Sequence, residues 1–278
     1  MPKTNPREPL HAELLSELLA LARSRDALPC DCLRSVQAHT VRKYDVEGAT
    51  LSFPLLGNFR YREKSRWLQV RPGEVMVVPN ARSIDIEYIP DAQACEFVAL
   101  SVVLTEHQLE AARLLLSAPP PTGIGTIAAI SIGELLDPLV RWTKAMRNGR
   151  RAMSLHAMVE VALCLYESGH TALLRPQPPS LAMTIRRLVA SDPARNWKSA
   201  EIEDITGLSG PTLRRRMADE STTLRSVIAD ARISEALRLL LTSHLPIKTI
   251  AARVGYNSVA SFSRQFTDRY GTEPAQFR

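Results

Sequence analysis

The spacing of apolar residues changes twice along the chain. Over residues 9–24, Leu10, Leu14, Leu15, Leu18 and Leu19 recur at helical intervals, which predicts an amphipathic helix packed on the domain after it. From about residue 40 to 104 the period falls to two. Ile84, Ile86 and Tyr88 alternate with Ser83, Asp85 and Glu87, and residues 96–104 read as a mostly buried strand. Residues 69–78 read as strand, turn, strand: Pro72 presets the first turn position and Gly73 accepts a positive φ. Short strands with Gly/Pro punctuation and no long helices between them predict a small antiparallel sandwich or barrel. From 105 to 170 the helical period returns, with helices over 107–116, 132–146 and 151–168, the last two joined by the basic turn RNGR. Their apolar faces can pair within one subunit or against a second copy, so dimerisation through 132–168 is expected. Pro176, Pro178 and Pro179 then mark a stiff linker. The expected domains are 1–170, a linker over 171–179, and 180–278.

Within the last hundred residues one pattern occurs twice, at 199–217 and at 246–266. Each copy begins with apolar residues three apart, Ile202 and Ile205 or Ile247 and Ile250. Each reaches a glycine suited to a left-handed helix end, Gly207 or Gly255. A serine suited to capping a new helix comes next, Ser209 or Ser258. The new helix carries two apolar anchors four apart, Leu213 and Met217 or Phe262 and Phe266. This is the helix-turn-helix pattern. With the anchors turned inward, Pro211, Arg214 and Arg215 face out of the first unit. Val259, Ala260, Ser263 and Arg264 face out of the second. Small residues admit a helix closely into a major groove, and arginine reaches phosphates or guanine edges. Arg216 faces the DNA backbone or only solvent.

Residues 222–243 carry Leu224, Val227, Ile228, Ala231, Ala236, Leu237, Leu240 and Leu241, which mark one continuous helix. About 20 helical residues span about 30 Å. One turn of DNA is about 34 Å. A rod of this length can hold two reading helices in successive major grooves on one face of a duplex.

Charge supports this division. Residues 1–175 carry 20 basic and 19 acidic residues, whereas 176–278 carry 15 and 10, so nearly all of the net +6 lies in the last third. Basic charge confined to one domain is the footprint of a phosphate-binding module. The run Arg214, Arg215, Arg216 would alone read as a solvated face; inside a doubled helix-turn-helix it reads as a DNA contact.

The residues RISEALRLLL, LSGPTLRRRM and PIKTIAARVGYNSVASFSRQFTDRYGTEPAQFR resemble the AraC/XylS transcription regulators over roughly 180–278. The terminal Gly271, Pro274, Phe277 and Arg278 follow the family signature, while Met217 stands where the family commonly has an aromatic. The resemblance implies an α+β protein. Its N-terminal part would be a cupin-like β-barrel with flanking helices that senses an effector or dimerises. Its C-terminal all-α domain would hold two helix-turn-helix units joined by a long helix. The implied function is sequence-specific transcription regulation, as an activator, with base contacts from Pro211, Arg214, Arg215, Val259, Ala260, Ser263 and Arg264. Double-stranded DNA and RNA polymerase are the implied partners, with a small-molecule or protein effector and a second copy of the chain beside them. Some members of the family answer to fatty acids.

Other classes are weighed on the same residues. No apolar run approaches the ~18 to 20 residues of a membrane span, and the N-terminus is unlike a secretory signal, so a cytoplasmic location is expected. Four cysteines are too few for a disulfide scaffold, and Cys30 and Cys32 lack a second Cys/His pair at zinc spacing. The alternative is a metal-dependent cupin enzyme with a DNA-binding tail. It needs clustered histidine and carboxylate ligands on the strands, yet no histidine falls between 40 and 106. No cofactor, metal site or catalytic set is therefore assigned. Trp67, Trp142 and Trp197 are read as packing residues, and Arg60, Arg62 and Lys64 as a solvated strand face.

Overall fold

The computed structural model describes residues 8–24, 30–121, 125–176 and 180–277. The chain forms two compact units, Met1–Pro176 and Gln177–Arg278.

In the first unit a helix, α1 (Glu8–Arg23), precedes eight strands: β1 (Asp31–Ser35), β2 (His39–Val46), β3 (Thr50–Leu56), β4 (Asn58–Glu63), β5 (Arg66–Val70), β6 (Glu74–Val78), β7 (Arg82–Ile89) and β8 (Phe97–Val103). Then come α2 (Glu106–Arg113), a ninth strand β9 (Ala128–Ser131), α3 (Leu136–Arg147) and α4 (Arg151–Glu167). The strands make two antiparallel sheets, in the orders β1-β8-β3-β6-β9 and β2-β7-β4-β5. They face each other: the Phe97 ring of β8 lies 5.1 Å from Tyr88 of β7 and 6.3 Å from Phe59 of β4. Among the described residues no strand pair joins the two sheets, so of the expected sandwich or barrel the unit forms an open sandwich, and the cupin-like barrel implied by the resemblance is not closed.

The five-stranded sheet is covered on its second face as well. Leu51, Phe53, Val75, Val77, Val98 and Leu100 share one core with Leu14 and Leu18 of α1, Leu139 and Trp142 of α3 and Val161 of α4. Burial on both faces explains why β8 reads as a mostly buried strand, while β7, with the alternation of a one-faced strand, belongs to the other sheet. Two strands escaped the sequence pattern. β1 precedes residue 40, and β9 lies in the stretch read as wholly helical; both are short edge strands without clean alternation. Trp142 is buried, but Trp67 lies half-exposed on edge strand β5, with the Arg60 guanidinium 5.6 Å from its ring.

His39 also corrects the reading that the strands carry no histidine, since it opens β2 and is buried. Its Nδ1 lies 3.1 Å from Ser35 Oγ and 2.9 Å from the Gln37 carbonyl, and its ring tilts against Tyr88 at 5.2 Å. Burial pushes its pKa below the ordinary 6.5, against the opposing pull of the Gln37 carbonyl.

The second unit is helical: α5 (Leu181–Ser191), α6 (Ser199–Thr206), α7 (Gly210–Asp219), α8 (Leu224–Thr242), α9 (Ile247–Arg253) and α10 (Val259–Tyr270), closed by a 3-10 turn at Pro274–Phe277. Glu220 caps the start of α5, accepting from Ser180 Oγ at 2.6 Å and from the Leu181 and Ala182 amides. Gly255 has φ +82°, and a Cβ there would stand 3.0 Å from the Pro193 carbonyl oxygen and 3.2 Å from the Arg232 Cζ.

The burial of His39 and the turn at Gly255 each set an expected outcome. An unfolded His39 takes a proton near its ordinary pKa and the folded one only at lower pH, so the unfolded state binds more protons as pH falls below about 6.5. The first unit is therefore expected to lose stability below that pH, and a His39→Phe variant to lose less, as read by denaturant unfolding between about pH 5.5 and about pH 7.5. Gly255→Ala, forced into a left-handed backbone against Pro193, is expected to destabilise the second unit by about 1 to 2 kcal/mol in the same measurement.

Candidate nucleic-acid interface

Helices α6 and α7 form the first helix-turn-helix and α9 and α10 the second. Gly207 ends α6 with φ +66°, in the left-handed region the sequence suggested. The two predicted serine caps differ. Ser258 accepts from the Ser261 amide at 3.4 Å, whereas Ser209 holds the cap backbone conformation while its hydroxyl pairs with Thr212 Oγ1 at 2.9 Å. With Pro211 in its first turn, α7 lacks one of the amides a cap would satisfy.

The anchors are buried as expected. Leu213 and Met217 join Ile185, Val189, Trp197, Ile202, Val227 and Ala231 in one core. Phe262 and Phe266 are wholly buried in a ladder of rings: Phe262 lies 5.6 Å from Tyr256 and 5.7 Å from Phe266. Phe266 in turn lies 5.0 Å from Tyr270 and 5.7 Å from Phe277. The Tyr256 hydroxyl donates to Gln265 Oε1 at 2.7 Å, tying the turn to the reading helix. Ile205 departs from the pattern. Ile202 is fully buried, but Ile205 is 56% exposed, because α6 ends one residue later and turns it away from the core. Arg278 lies outside the described residues.

Six of the seven residues assigned to base contact, Pro211, Arg214, Arg215, Val259, Ala260 and Arg264, are exposed; Ser263 is half-buried. Arg214, Arg215 and Arg264 form no ion pair among the described residues.

The predicted rod is the single helix α8, 19 residues long and capped by Thr223, which accepts from the Ser226 amide at 3.2 Å. Arg232 donates to the Pro193 and Arg195 carbonyls, both at 2.9 Å, pinning the loop before α6. Asp230 lies 3.7 Å from Arg186 of α5 and 3.7 Å from Arg269 of α10, so one carboxylate on the rod faces a cation from each side. Sequence reasoning missed a cleft between the two helix-turn-helix units, to which the first turn of α8 contributes Arg225. Arg225 lies in neither repeat of the pattern, so spacing alone could not single it out. Among the described residues no group of three His, Cys, Asp or Glu side chains is placed to hold a metal, and no helix is long and apolar enough to cross a membrane.

Residues 202–278 match the helix-turn-helix domain family. Over 151 residues the chain is 27% identical to the virulence regulon transcriptional activator VirF of Shigella flexneri, covering 54% of this chain and 58% of VirF. Over 93 residues it is 33% identical to the DNA-binding dual transcriptional regulator Rns of Escherichia coli, covering 34% and 35% of the two chains. The chain thus spans a little over half the length of VirF and about a third of Rns. Apo ToxT from Vibrio cholerae has the same fold, with a TM-score of 0.58 at 15% identity over 89% of this chain and 95% of ToxT. ToxT with bound unsaturated fatty acid gives 0.57 at 16% identity over 91% and 96%. The helix-turn-helix domain and these relatives support the resemblance to AraC/XylS family regulators.

Proposed function

We propose that the chain is a sequence-specific DNA-binding transcription regulator, an activator, that places α7 and α10 in adjacent major grooves of one duplex. The observation that carries this reading is the mounting of two helix-turn-helix units on one 19-residue helix. That helix is about 28 Å long at 1.5 Å per residue. The successive grooves are about 34 Å apart, and the turns flanking α8 lie between its ends and the reading helices. Pro211, Arg214 and Arg215 would read one groove, and Val259, Ala260, Ser263 and Arg264 the next. The net charge of the C-terminal third would add phosphate attraction. Activation is supported by the activator names of VirF and of CsvR of Escherichia coli, and RNA polymerase would be the partner it acts through.

The first unit would carry effector sensing and pairing of subunits. The fatty-acid-bound ToxT of the same fold supports the first role. Val140 of α3 and Met153 and Leu155 of α4, each 39–44% exposed, support the second.

Selection of duplexes from a random pool is expected to yield one defined site, with footprint protection over about two helical turns; scattered protection with no preferred sequence would contradict the reading. On that site Arg264→Ala is expected to weaken binding by about 1 to 3 kcal/mol and to relax preference at one guanine. Light scattering at micromolar concentration is expected to show a dimer that Leu155→Glu converts to monomer. A monomeric parent protein would remove the pairing role.

A further inference from the structure

Between the two helix-turn-helix units lies a cleft of about 970 Å³. Arg214 and Ala218 of α7 line one side, Ser261 and Gln265 of α10 the other. The deeper lining includes Leu213, Met217 and Ile228. Three arginines, Arg214, Arg225 and Arg232, line the cleft, and no aspartate or glutamate does so among the described residues. That exclusion is selective, because residues 176–278 hold ten acidic side chains.

The three arginines are not equivalent. Arg232 is held by the carbonyls of Pro193 and Arg195. Arg214 and Arg225 are exposed and have no ion-pair partner among the described residues. Cations that share a cleft without a carboxylate are stabilised by an anion brought from outside. Hydroxyls stand beside them. Thr223 and Ser258 both line the cleft, and each uses its oxygen to accept from a helix amide. Each O–H can still donate to an anionic oxygen.

The walls decide which anion. They are the two reading helices themselves, so a duplex read by both passes across the cleft. Between successive major grooves on one face lies a minor groove, bordered by phosphate backbone. We propose that this cleft seats the phosphodiester backbone bordering that minor groove, with Arg225 supplying a phosphate contact from the rod rather than from a reading helix. The proposal rests on the reading that α7 and α10 occupy adjacent grooves. A contact of this kind fixes register and carries no base identity. It makes the rod a third contact surface beside the two reading helices, placed where a shift of the duplex against either helix would break it.

The test is the salt dependence of binding by the full chain. Two probes are used: the duplex obtained by selection, and a poly(dA·dT) duplex of equal length. Arg225→Ala is expected to flatten the slope of log affinity against log salt by about 0.9 on both duplexes. The affinity loss at low salt should be about tenfold, the base preferences of the selected site should not change, and Arg225→Lys should restore the slope, since charge suffices at a phosphate. Arg225 is exposed, so the melting temperature of the variant should match the parent. An unchanged slope, or a loss confined to one base pair, overturns the cleft contact while leaving groove reading intact. Failure of selection to yield a site, with the Arg225 slope effect retained on poly(dA·dT), instead overturns adjacent-groove reading. No binding to either duplex overturns both.

Discussion

The burial of α8 is the constraint on which the C-terminal unit depends. Val227 and Ala231 belong to the core that holds α5, α6 and α7. The same helix also contacts α9, α10 and the terminal 3-10 turn. Each buried Val, Leu or Phe side chain contributes about 1.5 to 3 kcal/mol. The ion pairs of Asp230 with Arg186 and Arg269 are long and partly exposed, and such pairs contribute about 0 to 1 kcal/mol each. Apolar packing therefore holds the two reading units on the rod, and the charges bias their orientation. Gly255 tightens the arrangement, because a Cβ there would stand 3.0 Å from the Pro193 carbonyl oxygen and 3.2 Å from the Ala194 Cα in the loop before the first unit.

The N-terminal unit follows a different logic. Its five-stranded sheet is buried between the second sheet and helices α1, α3 and α4, so the core forms two layers that share one sheet. Polar groups inside it are matched locally, as His39 with Ser35 and the Gln37 carbonyl, or Ser52 with Ser101 at 3.4 Å.

Much of this was legible from spacing alone where one face is buried and the other wet. α10 and β7 have that character, and their periods are clear. The anchors Leu213, Met217, Phe262 and Phe266 were readable because helical spacing of four puts each pair on one stripe. β1 and β9 were not, since edge strands of four or five residues give too few alternations. The division into two open sheets was hidden as well: hydrogen-bonded neighbours such as β3 and β8 are far apart in sequence, and local pattern carries no pairing information. Ile205 was misread because periodicity does not mark where a short helix stops. Of the interface, the outward residues of both reading helices follow from their anchors. Arg225 does not, because the cleft exists only once the two units are set on the rod.

The central claim is that two reading helices, held at fixed separation by α8, engage one duplex together. Its most direct measurement is binding affinity on the selected site after five base pairs, about half a helical turn, are inserted between its two halves. Affinity is expected to fall to that of a single half-site, because the second groove then faces away from a rod that cannot lengthen or twist to follow it. Undiminished affinity on the expanded site would contradict it.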